Sequence, residues 1–233
     1  MNRLIVIEGL DGSGKATQAK LLSEALAGQG LAVREVSFPD YESPSSALVK
    51  MYLAGEFGEK PSDVNAYAAS TFYAVDRYAS FMKDWRQDYA GGVVIADRYT
   101  TSNAIHQCSK LGDGEWDGFL QWLFDLEYRK MGIPRPDLVV YLRVDPDVSQ
   151  TLMLSRYDGD GERRDIHEKD LEYQRRCQSA ADYCARRLGW AVVECCANGR
   201  MRSRDAIHAD VMRLARRLDS GSGRAPTDRK SVV

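Results

Sequence analysis

The sequence predicts a five-stranded parallel β-sheet with helices on both faces, and three observations carry that expectation. Five short β-rich runs recur along the chain, at residues 3–8 (RLIVIE), 32–38 (AVREVSF), 93–97 (VVIAD), 138–144 (LVVYLRV) and 190–194 (WAVVE). Long stretches of helical pattern separate them, and that alternation is the signature of parallel α/β sheets. The first run is almost continuously apolar, as a strand covered on both faces must be.

The elements follow in order. After the first strand comes a Gly-rich turn and then TQAKLLSEALAGQG from Thr17, which puts Leu22, Ala25 and Leu26 on one helical face. Gly28 and Gly30 are natural stops for that helix. From Ile207 a stripe of Ile207, Val211, Leu214 and Leu218 can close the fold by packing on the sheet. Beyond it DSGSGRAPTDRKSVV is nearly devoid of apolar residues and reads as a disordered tail. The expected organisation is one domain over residues 1–218 and a tail over 219–233, with no internal repeat.

Composition excludes several functional classes. Thirty-two basic residues face 34 acidic ones for a formal net charge of −2, so no global field draws the chain to nucleic acid or to a membrane surface. An anionic ligand needs a local site instead. The five cysteines show no paired metal-ligand spacing, and Cys195 and Cys196 are adjacent, which fits reduced thiols in a cytoplasmic protein. No run approaches the roughly 18 apolar residues of a membrane span, and no leader pattern opens the chain.

Between the first strand and the first helix stands GLDGSGK, Gly9, Leu10, Asp11, Gly12, Ser13, Gly14 and Lys15, which matches GxxxxGK. Glycines there let backbone N–H groups turn inward around a phosphate, the helix N-terminus adds positive potential, and Lys15 neutralises β and γ oxygens. The position after the lysine, where a Ser or Thr hydroxyl would bind Mg²⁺, holds Ala16, with Thr17 following. Direct hydroxyl ligation at that place is lost.

GLDGSGKATQ resembles the start of thymidylate kinases, and the likeness continues to about residue 215. The resemblance implies a P-loop fold of the nucleoside-monophosphate kinase type and transfer of the ATP γ-phosphoryl to dTMP. Adenylate kinases, from the wider family, also place a small residue and then Thr after the lysine, which implies Mg²⁺ held through water, with Asp97 as its organiser and Thr17 on phosphate. Four further segments carry the likeness. In FPDY, Phe38 and Pro39 shape the monophosphate pocket and the Tyr41 hydroxyl reaches the acceptor phosphate. In YAVDR, spacing four puts Tyr73 and Arg77 on one helical face; the resemblance stacks the Tyr73 ring on thymine and sends Arg77 to a base carbonyl or the phosphate. DRYTTSNAIHQ follows the third strand, at the strand ends where α/β sheets bind ligands. There Arg98 offers a planar fork to the acceptor phosphate, Ser102 and Asn103 lie along the nucleoside, Asn103 reads thymine N3 and O4, and His106 takes a place where relatives often have Tyr against the sugar.

The fourth segment, about residues 155–168, is rich in Gly and charge and matches the family's lid, whose Arg156, Arg163 and Arg164 approach ATP on closure. Glu168 and Tyr173 correspond to positions beside the substrate, and Asp11 to an acidic residue touching the deoxyribose 3′-hydroxyl. Gly12 stands where some members carry Arg, so the resemblance assigns the transition-state cation to the lid. A homodimer is also implied. Two other readings stay open: another nucleoside-monophosphate kinase on the same scaffold, or a nucleotide-binding regulator without turnover, of which Ala16 would be the sign.

Overall fold

The computed structural model describes residues 2–145, 148–149 and 171–219. The lid with its arginines and Glu168, and the tail after Asp219, lie outside the described residues. Five parallel strands, β1 (Arg3–Glu8), β2 (Val33–Ser37), β3 (Val93–Asp97), β4 (Leu138–Arg143) and β5 (Ala191–Glu194), form one sheet in the order β2-β3-β1-β4-β5. All neighbouring pairs are parallel, and the register sets Ile5 between Ile95 and Leu138, and Ile7 between Asp97 and Val140. Because β1 is central, its C-terminal end and that of β3 open side by side.

Alternation along β1 explains why its run is apolar throughout. Ile5 and Ile7 point to one face, where they join Leu22 and Leu26 of α1 (Lys15–Ala27) and Ile207 and Val211 of the closing helix, α8 (Arg204–Asp219). Leu4 and Val6 point to the other, against Phe81, Trp85 and Tyr99. That second face is covered by α3 (Ala66–Ser80), which runs through a π-helical turn (Phe81–Trp85) into α4 (Arg86–Gly91), and by α5 (Thr100–Cys108), α6 (Trp116–Phe124) and α7 (Leu171–Leu188). A short α2 (Ala47–Leu53) precedes α3. The apolar residues of β1 therefore have helical partners on both faces, as a strand buried on both faces requires.

The expected strands are present, trimmed by a residue at some ends. Val93 N–H still donates to Ala32 O and Phe38 N–H to Asp97 O, so the second ladder reaches just past its strand. Trp190 instead caps the preceding helix, donating to Ala185 O after Gly189 turns the chain at φ 68°. One element is additional: a two-residue hairpin of β6 (Cys196–Ala197) and β7 (Arg200–Met201). Its turn is Asn198-Gly199 at φ 53° and 69°, the pair that accepts positive φ at both central positions. All five cysteines are free thiols, and no helix among the described residues is long and apolar enough to cross a membrane.

Candidate active site

The site grows from the ends of β1 and β3. Past Glu8 the chain turns through Gly12 and Gly14 at φ 77° and 84°, conformations that disfavour any side chain. At Gly14 the direction of a side chain is open space facing the cavity, while at Gly9 a Cβ would lie 2.9 Å from Leu142 O. The loop is thus pressed onto the sheet on one side and open on the other. No side chain caps α1, and its first bond closes from Gln18 N–H to Gly14 O. The amides before it remain for an anion, with the helix dipole behind them. Lys15 lies folded over this cradle: its Nζ donates to Leu10 O at 2.8 Å and stands 3.9 Å from an Asp11 oxygen. Burial, reinforced by Arg98, lowers its pKa to about 8.

Arg98 leaves β3 with φ 66°, a left-handed turn that aims its guanidinium back over the loop. Nη2 pairs with Asp11 Oδ1, and Nη1 approaches Ser102 Oγ at 3.5 Å, His106 Nε2 at 3.4 Å and Glu8 Oε1 at 3.9 Å. Glu8 is fully buried and accepts from Gly9 N–H, Thr101 Oγ and Ser102 Oγ. These bonds fasten α5 to the root of the phosphate loop. Because an arginine only donates, His106 Nε2 accepts, which leaves the proton on Nδ1 facing the Tyr173 hydroxyl at 3.2 Å. Burial and Arg98 push the His106 pKa down to about 3, so the ring stays neutral.

Around these groups lies a cavity of about 440 Å³. The structure brings most of the expected residues to its wall: Asp11, Gly12, Gly14, Lys15, Ala16 and Thr17 at one end, Phe38, Pro39, Tyr41, Tyr73 and Arg77 at the other, with Asp97, Arg98, Ser102, Asn103 and His106 between. Gly9, Leu10 and Ser13 belong to the loop but do not line the cavity. Tyr173 stands one layer back, stacked on His106 with ring centroids 6.1 Å apart, because α7 packs on α5 and presents it to the imidazole. Ser102 spends its hydroxyl on Glu8, which makes it a prop for Arg98.

Arg77 and Asn103 are more constrained than the sequence implies. Glu127, in a π-helical turn (Asp125–Lys130) that extends α6, is fully buried and grips Arg77 through Nε at 2.7 Å and Nη2 at 2.6 Å. Glu127 also accepts from Thr100 Oγ at 2.8 Å and from Asn103 Nδ2 at 3.3 Å, while Ser70 O takes the other Asn103 N–H at 3.1 Å. Both amide hydrogens of Asn103 are engaged, which leaves Oδ1 for a further contact and no hydrogen for the expected donation to O4. Glu8, Glu127 and Asp76, which holds Asp40 N–H and Ser45 Oγ and so pins the Phe38–Tyr41 turn, all escaped the sequence reading. A signal existed for Glu127: it continues the buried stripe Trp116, Leu120, Leu123 at helical spacing, where a charge must have a partner.

Oxygen donors suited to Mg²⁺ are present in part. Asp97 Oδ1, on the cavity wall, is buried with no hydrogen-bond partner, and no group of three metal-ligating side chains exists among the described residues. Such a set fits a hard cation carried largely by phosphate and water.

A family model described as thymidylate kinase matches residues 7–200. A curated thymidylate kinase of Mycobacterium tuberculosis is 34% identical over 195 residues, 82% of this chain and 90% of that one. The thymidylate kinase of Schizosaccharomyces pombe is 32% identical over 149 residues, 64% of each chain, and the human one 28% identical over 144, 60% of each.

Proposed function

The chain belongs to the thymidylate kinase family, and from that premise we infer that it transfers the γ-phosphoryl group of ATP to dTMP, giving dTDP and ADP. The observation that carries the reading is the pairing of Arg98 with Asp11. It brings the Arg98 guanidinium from the end of β3 over the loop that carries Lys15, inside one cavity, and so supports donor and acceptor phosphates lying side by side. An acceptor phosphate is already an anion, so the reaction needs alignment and charge neutralisation more than a base. Lys15 and the α1 amides serve the donor. Arg98 serves the acceptor phosphate, Tyr73 and the Arg77–Asn103 pair serve the base, and Asp11 links the two halves.

Mg²⁺ would be held by the ATP phosphates with Asp97 acting through water, and when bound it neutralises charge on the phosphates. Ala16 leaves that role to solvent. The family resemblance supports a single catalytic domain over 1–218 with a lid at about 155–168 whose Arg156, Arg163 and Arg164 complete the site, and it supports a homodimer. Unpaired cysteines support a reducing compartment, the cytoplasm.

A coupled ADP-release assay with Mg-ATP across dTMP, dUMP, dCMP and AMP tests the reading. Turnover highest with dTMP is expected; highest turnover on AMP or dCMP would favour a different monophosphate kinase, and binding without turnover on every acceptor would favour a regulator.

A further inference from the structure

Inside the phosphate loop, Ser13 N–H donates to Leu10 O at 3.2 Å and closes a four-residue turn whose central residues are Asp11 and Gly12. Gly12 has φ 77° and Asp11 a negative φ, which makes the turn type II. The same bond closes a type I turn, and the two types differ in the orientation of the central peptide, here Asp11–Gly12. Turning that peptide over takes Gly12 to negative φ, which a glycine accepts about as readily. The turn's own bond and residues therefore admit both orientations. The Asp11 side chain does not choose between them either, because its pair with Arg98 is made beyond Cβ, and rotating the peptide leaves Cβ in place.

What distinguishes the two orientations is the Asp11 carbonyl, which accepts from Ser149 Oγ at 2.5 Å, across 138 positions. Ser149 is 7% exposed and does not line the cavity. It follows β4 in a helical turn closed by its own N–H on Asp145 O at 2.9 Å, so the hydroxyl is anchored to the sheet from outside the site. In a trans peptide C=O and N–H point in opposite directions. A carbonyl held toward Ser149 therefore sends Gly12 N–H the other way, and Gly12 lines the cavity. That N–H has no partner among the described residues. We propose that Ser149 is a positioning residue for the donor nucleotide: by holding Asp11 O it fixes the type II turn and keeps Gly12 N–H turned into the cradle, as a donor to a phosphate oxygen. With the peptide reversed, Asp11 O faces the cradle instead, an acceptor turned toward an anion. Ser149 touches no phosphate and acts only through the peptide. The proposal rests on the reading of this loop as the donor-phosphate cradle and is independent of which acceptor the site takes.

The test measures equilibrium affinity by calorimetry, with Mg²⁺ present, for AMPPNP, the β,γ-imido analogue of ATP, and for dTMP, in the parent, Ser149→Ala and Ser149→Thr. Ser149→Ala should weaken AMPPNP by about tenfold, the usual scale for one hydrogen bond to a charged group, while dTMP affinity stays near parental. Ser149→Thr keeps the hydroxyl and should bind both ligands like the parent. In turnover the same split is a raised KM for ATP beside an unchanged KM for dTMP. Parental AMPPNP affinity in Ser149→Ala would overturn the proposal, because the bond would then hold nothing the nucleotide uses. An equal loss on dTMP would also overturn it, by making Ser149 a prop for the site as a whole, and so would a loss in Ser149→Thr as large as in Ser149→Ala. A parent that does not bind AMPPNP would overturn the cradle reading beneath it, and that outcome is visible before any variant is made. A parent that binds AMPPNP yet leaves dTMP unphosphorylated would remove only the acceptor assignment, and the Ser149 comparison would still decide the proposal on AMPPNP.

Discussion

Arg98 and Asp11, 87 positions apart, form an ion pair across the mouth of the cavity, the arginine reaching it from a left-handed turn at the end of β3 and the aspartate from inside the phosphate loop. The pair presents a guanidinium, already braced by Ser102 and His106, to whatever anion lies beside the loop. Preorganisation of this kind removes the cost of ordering a flexible cation when the acceptor arrives.

Arg98→Ala should therefore damage binding and alignment together. Initial-rate kinetics are expected to show kcat/KM for dTMP lower by about a hundredfold or more, with both kcat and KM affected, because a bidentate clamp both binds and orients. The ATP KM should stay within a few fold. A variant changed only in its ATP KM would move Arg98 out of the acceptor site.

Lys15 gives a prediction in which stability and turnover move in opposite directions. Its ammonium is buried with only partial compensation from Asp11, and its pKa falls from an ordinary 10.5 to about 8. Between those values the unfolded chain holds the proton that the folded chain has released, so this group's contribution to stability rises as pH rises through about 8 to 10.5, and below about 8 the full penalty stands. Lys15→Met should remove that penalty, stabilising the ligand-free protein at pH 7 by about 1–3 kcal/mol, with the gain fading toward pH 10. Turnover should fall at least about a hundredfold, as expected when one preorganised charge is lost from a phosphoryl transition state. Thermal melts and rates on one preparation check both; a destabilised or still active variant contradicts the assignment.

Much of this architecture is legible in the sequence. RLIVIE followed by GLDGSGK fixes a strand, a phosphate loop and a helix start, because glycine geometry and apolar continuity are local properties. The cavity residues from Phe38 to His106 are legible for a different reason, their likeness to a known family. What escaped are the buried carboxylates Glu8, Asp76 and Glu127, whose roles depend on side-chain partners 24 to 94 positions away. Neither periodicity nor composition reports which distant arginine or hydroxyl will face a carboxylate. The engagement of Asn103 Nδ2 was hidden likewise, since its acceptors come from α3 and from the turn after α6.

The metal site makes a third prediction. With Ala16 in place of a hydroxyl ligand and Asp97 Oδ1 unpartnered, the parent enzyme should require a divalent cation, and Ala16→Thr should be tolerated. Asp97→Asn should raise the Mg²⁺ concentration needed for half-maximal rate by about tenfold, in line with the usual cost of losing a group that orients a metal's ligands. Rates titrated against free Mg²⁺ decide it. Full activity in excess chelator would remove the metal from the account.

A fourth concerns the transition-state cation. Gly12 offers no side chain where an arginine would reach the transferring group, so the lid arginines are assigned that task. The triple variant Arg156→Ala, Arg163→Ala, Arg164→Ala should lose about 10³-fold or more in kcat while dTMP affinity stays near parental. Turnover within a few fold of the parent at saturating substrates would end the arginine-finger account.

The central claim, that one cavity carries phosphoryl transfer from ATP to dTMP, is tested most directly by following the phosphates themselves. In ³¹P NMR of the enzyme with Mg-ATP and dTMP, the account predicts that the dTMP monophosphate signal is replaced by the coupled α and β doublets of dTDP, in step with loss of the ATP γ resonance and appearance of ADP. Loss of the γ resonance to inorganic phosphate with dTMP intact, or no loss at all, would contradict it.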